Sequence, residues 1–525
     1  MELCADDVAR LAAQVRSLLA DELWASAAIA AGLLLTLRTD AETLALFADA
    51  LSGKREWKRA QAHYRMARQR NARSDGKTDA SLRFREAKCC NELDERSGAI
   101  AALQGIVGEF RSAKTNAFLG QLYNETGQRQ YAIDAYKAAL RENPMCLEVI
   151  EPLVELGATV DDVRAASARQ SMEIDSDTAA AQSAAAPWYD AFVVAHGAFA
   201  RHEYARAALE WRRVDDAFPA NNHGLLRLSC CLVELDEAVE AASGYAAVRA
   251  ADAHCVDLMD RFALALKKRH GAAAQHTLNA LAHSLIATDA KRPETWLVVA
   301  LHAEVSPGEG QLEKAIAFVD RAIELDAAHA LAPRLKGDLL LSLGKPEAAR
   351  EAFADANARR KDLSSFGGLV DCHLASRRFR EALGAAKQAV EMVPNNARAI
   401  ALVGKVLATS DDKTDMAKRA FTKALAIDAG CTDAAAALVE LLERQRDYAE
   451  CIKVLRAALH GLKSDALHTK LADIYSLDSQ FAEALRCYHV ALAHDPASER
   501  ALRGMEQLEK RMRGEAPDDG DGGGI

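Results

Sequence analysis

Residues 116–144 read NAFLGQLYNETGQRQYAIDAYKAALRENP. Leu119, Gly120 and Tyr123 share one helical face, and Ala132, Tyr136 and Ala139, spaced i, i+4, i+7, share another. Gly127 lies between the two faces, and Pro144 stands where a second helix must stop. The pattern predicts two antiparallel helices. Alanines at the ends of the second face let backbones approach closely, and the large ring between them fills the groove.

The same grammar recurs down the chain. Ala315, Ala349, Ala382, Ala417, Cys451 and Ala484 are 34, 33, 35, 34 and 33 residues apart. Seven residues after each comes an alanine: Ala322, Ala356, Ala389, Ala424, Ala458 and Ala491. Four residues after each comes Val319, Phe353, Ala386, Phe421, Leu455 or Tyr488, mostly bulky. A second helical pattern precedes each face, as in Leu471, Ala472 and Tyr475. Pro394 and Pro496 follow later second helices as Pro144 does. Two helices per ~34 residues with this alternation is the tetratricopeptide repeat, so the expected fold is an all-α superhelix of about a dozen or more helix pairs. An α-solenoid of another repeat type would have a period nearer ~40 residues.

Composition agrees. The chain has 525 residues, half of them apolar, so it can bury a core. Aromatics at 6% and only 29 Gly and 11 Pro argue against a β-sandwich or barrel. A net charge of −10 argues against general nucleic-acid binding. No stretch approaches the ~20 apolar residues that span a bilayer. The uncharged run Leu23–Leu37 follows Asp21 and Glu22 rather than a basic segment, so it makes a poor signal peptide. Eleven scattered cysteines, with adjacent pairs Cys89-Cys90 and Cys230-Cys231 and no C-x-x-C, point to reduced thiols.

Along the chain, residues 1–166 read as an N-terminal repeat region and 167–187 as an Ala/Ser-rich connection. Residues 188–290 are degenerate middle repeats and 291–497 a regular array. Residues 498–513 form a capping helix with Leu502, Met505 and Leu508 on one face, and 514–525 a Gly/Asp-rich tail expected to be disordered. Ser74–Asp79 reads as an inserted loop. The stretch Lys54–Lys77 holds nine basic residues, which form either a solvated face or a site for an acidic partner surface.

No catalytic motif appears. The Gly-Lys pairs at Gly53, Gly76, Gly344 and Gly404 lack the earlier glycine of a phosphate loop, and G-x-S-x-G and H-E-x-x-H are absent. No cofactor or metal site is expected. Cys89, Cys90, His373, Trp188 and Trp296 fall at repeat-packing positions. A repeat array offers extended surface rather than a walled pocket, so a binding or scaffold role follows. A co-chaperone-like adaptor clamping acidic peptide ends is an alternative, but no separate effector domain accompanies the repeats.

Four passages go further. These are Ser17–Ala27 with Leu44–Leu51 and Trp57–Ala60; Ala99–Ile106, AIAALQGI; Gly368–Ser376, GLVDCHLAS; and Ala484–Lys510. They resemble the subunit 7 family of the anaphase-promoting complex (cyclosome), tetratricopeptide scaffolds of a ubiquitin ligase. Val107 stands where that family usually has proline, and His373 where it has tyrosine. Asp371 and Cys372 make the third passage the most specific, because the generic repeat does not require them. The resemblance implies a non-catalytic subunit in nucleus and cytoplasm, serving cell-cycle protein ubiquitination. It implies a homodimer through the N-terminal repeats, and C-terminal repeats stacked on another tetratricopeptide subunit, the Cdc27-related one. Another tetratricopeptide subunit of the same complex is the alternative. Leu11, Leu18, Trp24 and Leu33 are then candidate dimer contacts, with packing inside the chain as the competing role.

Overall fold

The computed structural model describes residues 5–71, 76–168, 186–235, 237–410, 413–459, 465–494 and 498–512. Among them there is no strand. The chain divides into two compact units, Met1–Asp236 and Glu237–Ile525.

The first unit runs α1 (Ala5–Ala20), α2 (Trp24–Leu37), α3 (Ala41–Gly53), α4 (Trp57–Asn71), α5 (Gly76–Glu92), α6 (Arg96–Gln104), α7 (Ala113–Glu125), α8 (Arg129–Glu142), α9 (Ile150–Glu155), α10 (Val160–Ala168), α11 (Pro187–Ala200), α12 (Tyr204–Ala217) and α13 (Asn222–Glu234). The second runs α14 (Ala238–Ala251), α15 (Met259–His270), α16 (Gln275–Thr288), α17 (Pro293–Val305), α18 (Gln311–Leu325), α19 (Leu331–Ser342), α20 (Pro346–Arg359), α21 (Leu363–Ala375), α22 (Phe379–Met392), α23 (Ala397–Ala408), α24 (Thr414–Ile427), α25 (Thr432–Arg444), α26 (Tyr448–Ala458), α27 (Asp465–Leu477), α28 (Phe481–His494) and α29 (Glu499–Met512). Within each unit helices pack chiefly on their chain neighbours, and first helices of consecutive repeats also touch, as α21 does α23 and α23 does α25. This nearest-neighbour economy defines a stacked-repeat architecture.

The alanine ladder lies on the seams. All twelve small residues from Ala315 to Ala491 are at most 2% exposed, and so are the six residues between them. Leu119, Tyr123, Ala132, Tyr136 and Ala139 are buried in the first unit. Pro144 is buried two residues past α8, and its carbonyl accepts the Tyr189 hydroxyl at 2.9 Å. Pro394 is exposed two residues past α22, and Pro496 lies outside the described residues.

Eight of the turns inside helix pairs follow one rule. The residue two past the first helix takes a left-handed conformation: Arg55, Asp94, Gly127, His202, Gly344, Arg377, Arg446 and Ser479, with φ from 56° to 74°. The next amide then reaches back to close the helix end, as Gln128 N does to Tyr123 O at 2.8 Å and Arg378 N to His373 O at 2.7 Å. Glycine takes this conformation without strain, whereas a side chain costs ~1 kcal/mol there. Gly344→Ala is therefore expected to lower stability by about 1 kcal/mol, and Arg377→Gly to raise it by up to about that amount. Urea denaturation midpoints check both.

Several sequence expectations need correction. Ser74–Asp79 is not a loop throughout, because α5 already starts at Gly76; Ser74 and Asp75 lie outside the described residues. In α29 the inward face is Ala501, Met505 and Leu508, whereas Leu502 is 44% exposed. The body of the Ala/Ser-rich connection, 169–185, lies outside the described residues, as does the 514–525 tail. The helices flanking that connection pack together: Arg164 pairs with Asp190 at 2.7 Å, and the Ser167 and Tyr189 hydroxyls meet at 2.9 Å.

Candidate interaction surfaces

The most specific sequence passage, 368–376, sits in α21, and its residues have structural tasks. The Phe353 ring of α20 lies between two glycines. A Cβ on Gly337 of α19 would come within 2.7 Å of that ring, and one on Gly368 of α21 would also overlap it. The ring thus locks its own repeat to the next. Cys372 is buried beside it in the same cluster. Asp371 pairs with Lys405 of α23 at 2.5 Å. The same stitch between first helices recurs as Lys470–Glu443 at 2.7 Å. Such half-exposed pairs contribute less than ~1 kcal/mol each, so they fix register more than stability. His373 Nδ1 lies 3.2 Å from the Glu381 carboxylate across its helix pair.

Two further rings close equivalent seams. A Cβ on Gly120 would meet Tyr136 at 2.6 Å, and one on Gly404 would meet Phe421 at 2.6 Å. Tyr488 packs with Leu471 and Tyr475, and its hydroxyl donates to Asp473 at 2.6 Å.

The basic stretch is largely spent inside the protein. Arg65 and Arg68 both reach the buried Glu86, at 2.8 and 2.5 Å. Lys58 pairs with Glu95, and Lys54 and Arg59 with Glu56. These pairings favour a solvated, self-neutralised face over a site awaiting an acidic partner.

No group of three or more His, Cys, Asp or Glu among the described residues has metal-binding geometry. Burial pushes the Cys89 thiol up to about 11 and that of Cys372 up to about 12. Thiols held that high are poor nucleophiles. No helix among the described residues is long and apolar enough to cross a membrane.

What the chain offers to partners is apolar surface, most plainly on α2. Its sequence, WASAAIAAGLLLTL, is apolar on every side. Ala27, Ala28, Ala31 and Leu34 face the chain's own core. Ile29, Leu33 and Leu37, spaced i, i+4, i+8 on the opposite face, are 69%, 59% and 47% exposed. Of the four residues singled out from sequence, only Leu33 belongs to this stripe. Leu18 packs on the Ala27–Ala28–Ala50 cluster, the Trp24 ring covers Gly53, and Leu11 is half-buried. Ile29 and Leu37 escaped notice because nothing in an all-apolar run says which side faces inward.

The repeat geometry defines a class: this chain is a tetratricopeptide-repeat protein. Along nine-tenths of its length it is also similar to one particular protein, anaphase-promoting complex subunit 7. It is 29% identical to that protein of Arabidopsis thaliana over 503 residues, covering 91% of this chain and 88% of the plant one. It is 27% identical to the Dictyostelium discoideum protein of the same name, covering 91% and 85%. The Homo sapiens protein is 26% identical, with 84% and 76% covered. Among solved structures, a crystal structure of the APC/C hetero-tetramer Cut9–Hcn1 aligns over 96% of both chains with a TM-score of 0.56 at 18% identity. That likeness speaks for the fold alone. No family model matches the chain.

Proposed function

We propose that this chain is a non-catalytic scaffold subunit of the anaphase-promoting complex, holding neighbouring tetratricopeptide subunits and so supporting ubiquitination of cell-cycle proteins. The observation that carries it is similarity to subunit 7 along 84–91% of the chain, in relatives from a plant, an amoeba and an animal. Asp371 and Cys372, which the generic repeat does not require, are built into the seam that stitches α21 to α20 and α23. On this reading the Cdc27-related subunit is the neighbour of the C-terminal repeats, and the chain works in nucleus and cytoplasm.

The chain pairs with a second copy of itself through the apolar stripe of α2. An apolar helix with one face on its own core and the other in water supports this, because such a face gains most from being covered. Co-expression with the Cdc27-related subunit of the same source tests the stacking. A single co-migrating species on size exclusion is expected. Separate elution at micromolar concentration would overturn it.

A further inference from the structure

The first unit contains a cavity of about 400 Å³ between α9, α11, α12 and α13. Its walls are aromatic and apolar, chiefly Trp188, Phe192, Val214 and Phe218. Trp188 meets Phe218 edge-on at 5.2 Å, and Phe192 meets Trp211 edge-on at 5.3 Å, so the walls are braced. The volume lies in the range of specific ligand pockets and accommodates one aromatic side chain with its backbone.

Five polar residues interrupt the apolar lining, Glu148, Glu151, His196, Asn221 and His223, and Asn221 is spent capping α13, its Oδ1 accepting from the His223 and Gly224 amides. His196 is only 5% exposed and lines the cavity, its ring packed against Phe192 and Trp211. Burial holds the imidazole neutral, with its pKa lowered to about 3, so one ring nitrogen is an acceptor. At the edge sit two carboxylates. Glu151 is neutralised by Arg227 through two contacts of 2.5 Å. Glu148 is exposed, the Cys146 thiol lies 3.8 Å from it, and no cation among the described residues forms an ion pair with it. No Lys or Arg lines the cavity.

We propose that this cavity receives a tyrosine side chain of a partner's peptide segment, with a neighbouring Arg or Lys of that segment pairing with Glu148. The ring fills the aromatic walls, the phenol hydroxyl donates to His196, and the flanking cation meets the unneutralised carboxylate. Each feature of the occupant answers a feature of the site: shape, one hydrogen-bond acceptor and one negative charge. The pocket lies away from the α2 stripe and does not depend on it.

Calorimetric titration of the purified full chain with a blocked Gly-Gly-Tyr-Arg-Gly-Gly peptide tests this, alongside versions with Ala or Phe for the Tyr and Glu for the Arg. The Tyr-Arg peptide is expected to bind at least about tenfold more tightly than the Ala or Glu versions, and several-fold more tightly than the Phe version. Glu148→Lys, an exposed change that leaves the core alone, is expected to weaken the Tyr-Arg peptide about tenfold and to favour the Glu version instead. His196→Phe is expected to erase the preference for Tyr over Phe. Equal binding of the Tyr and Ala peptides, or indifference to Glu148→Lys, would overturn the proposal. Since only the purified chain and a peptide are used, either result leaves the scaffold reading to its own test.

Discussion

Phe353→Ala is expected to lower the stability of the second unit by about 3–5 kcal/mol, the usual cost of removing a fully buried aromatic ring. The ring is wholly buried and is gripped by Gly337 and Gly368 from the two adjoining first helices. Its loss opens two seams at once. In a stacked array stability is a sum of repeat and interface terms, so opening a seam uncouples the repeats on either side. The urea transition is expected to broaden or split, and proteolysis to begin between α19 and α21. The reverse test adds atoms. Gly368→Ala is expected to cost about 1–3 kcal/mol by overpacking, and less in a Phe353→Leu background, where the smaller side chain yields. That coupling, read from a double-mutant cycle, distinguishes the clamp from a mere helix-propensity effect, since alanine is the better helix former. A neutral or stabilising Gly368→Ala would contradict the clamp.

The second large effect concerns assembly. Leu33→Asp is expected to convert the full chain from dimer to monomer at micromolar concentration, measured by light scattering on a size-exclusion column. A charge at the middle of the Ile29–Leu33–Leu37 stripe would have to be desolvated in the interface without a partner, costing several kcal/mol. The same change faces water in the monomer, so the thermal midpoint is expected to stay within a few degrees. Wild-type chain that is monomeric, or a Leu33→Asp chain still dimeric, would contradict pairing through α2. Ala28→Asp, on the buried face of the same helix, is expected instead to unfold the N-terminal helices.

These two predictions differ in how far the sequence foretold them. The seam was legible because its chemistry is periodic: alanines at 33–35-residue spacing can serve one packed face and little else. The ring-and-glycine clamp was half legible. Phe353 was marked by its place in the ladder, but nothing local connects it to Gly368, fifteen residues on in another helix. The stripe on α2 was visible as apolar character but not as a direction. Trp24 could read either as a dimer contact or as packing inside the chain, and its ring covers Gly53.

Charges were the least legible. Nine cations between Lys54 and Lys77 read as a patch, yet most of those described are answered by Glu56, Glu86 and Glu95, two of which lie in the next repeat. Left-handed turns were hidden as well, since Arg377 and Ser479 do locally what Gly127 advertises. The His196 cavity joins residues from 147 to 224, none of which belongs to the alanine ladder.

The most direct measurement of the scaffold assignment is purification of the tagged, full-length chain from dividing cells of its own source, with the co-purifying proteins identified by mass spectrometry. Recovery of the tetratricopeptide and catalytic subunits of the anaphase-promoting complex in near-stoichiometric amounts is expected. A preparation that contains the intact chain and no subunit of that ligase would contradict the assignment.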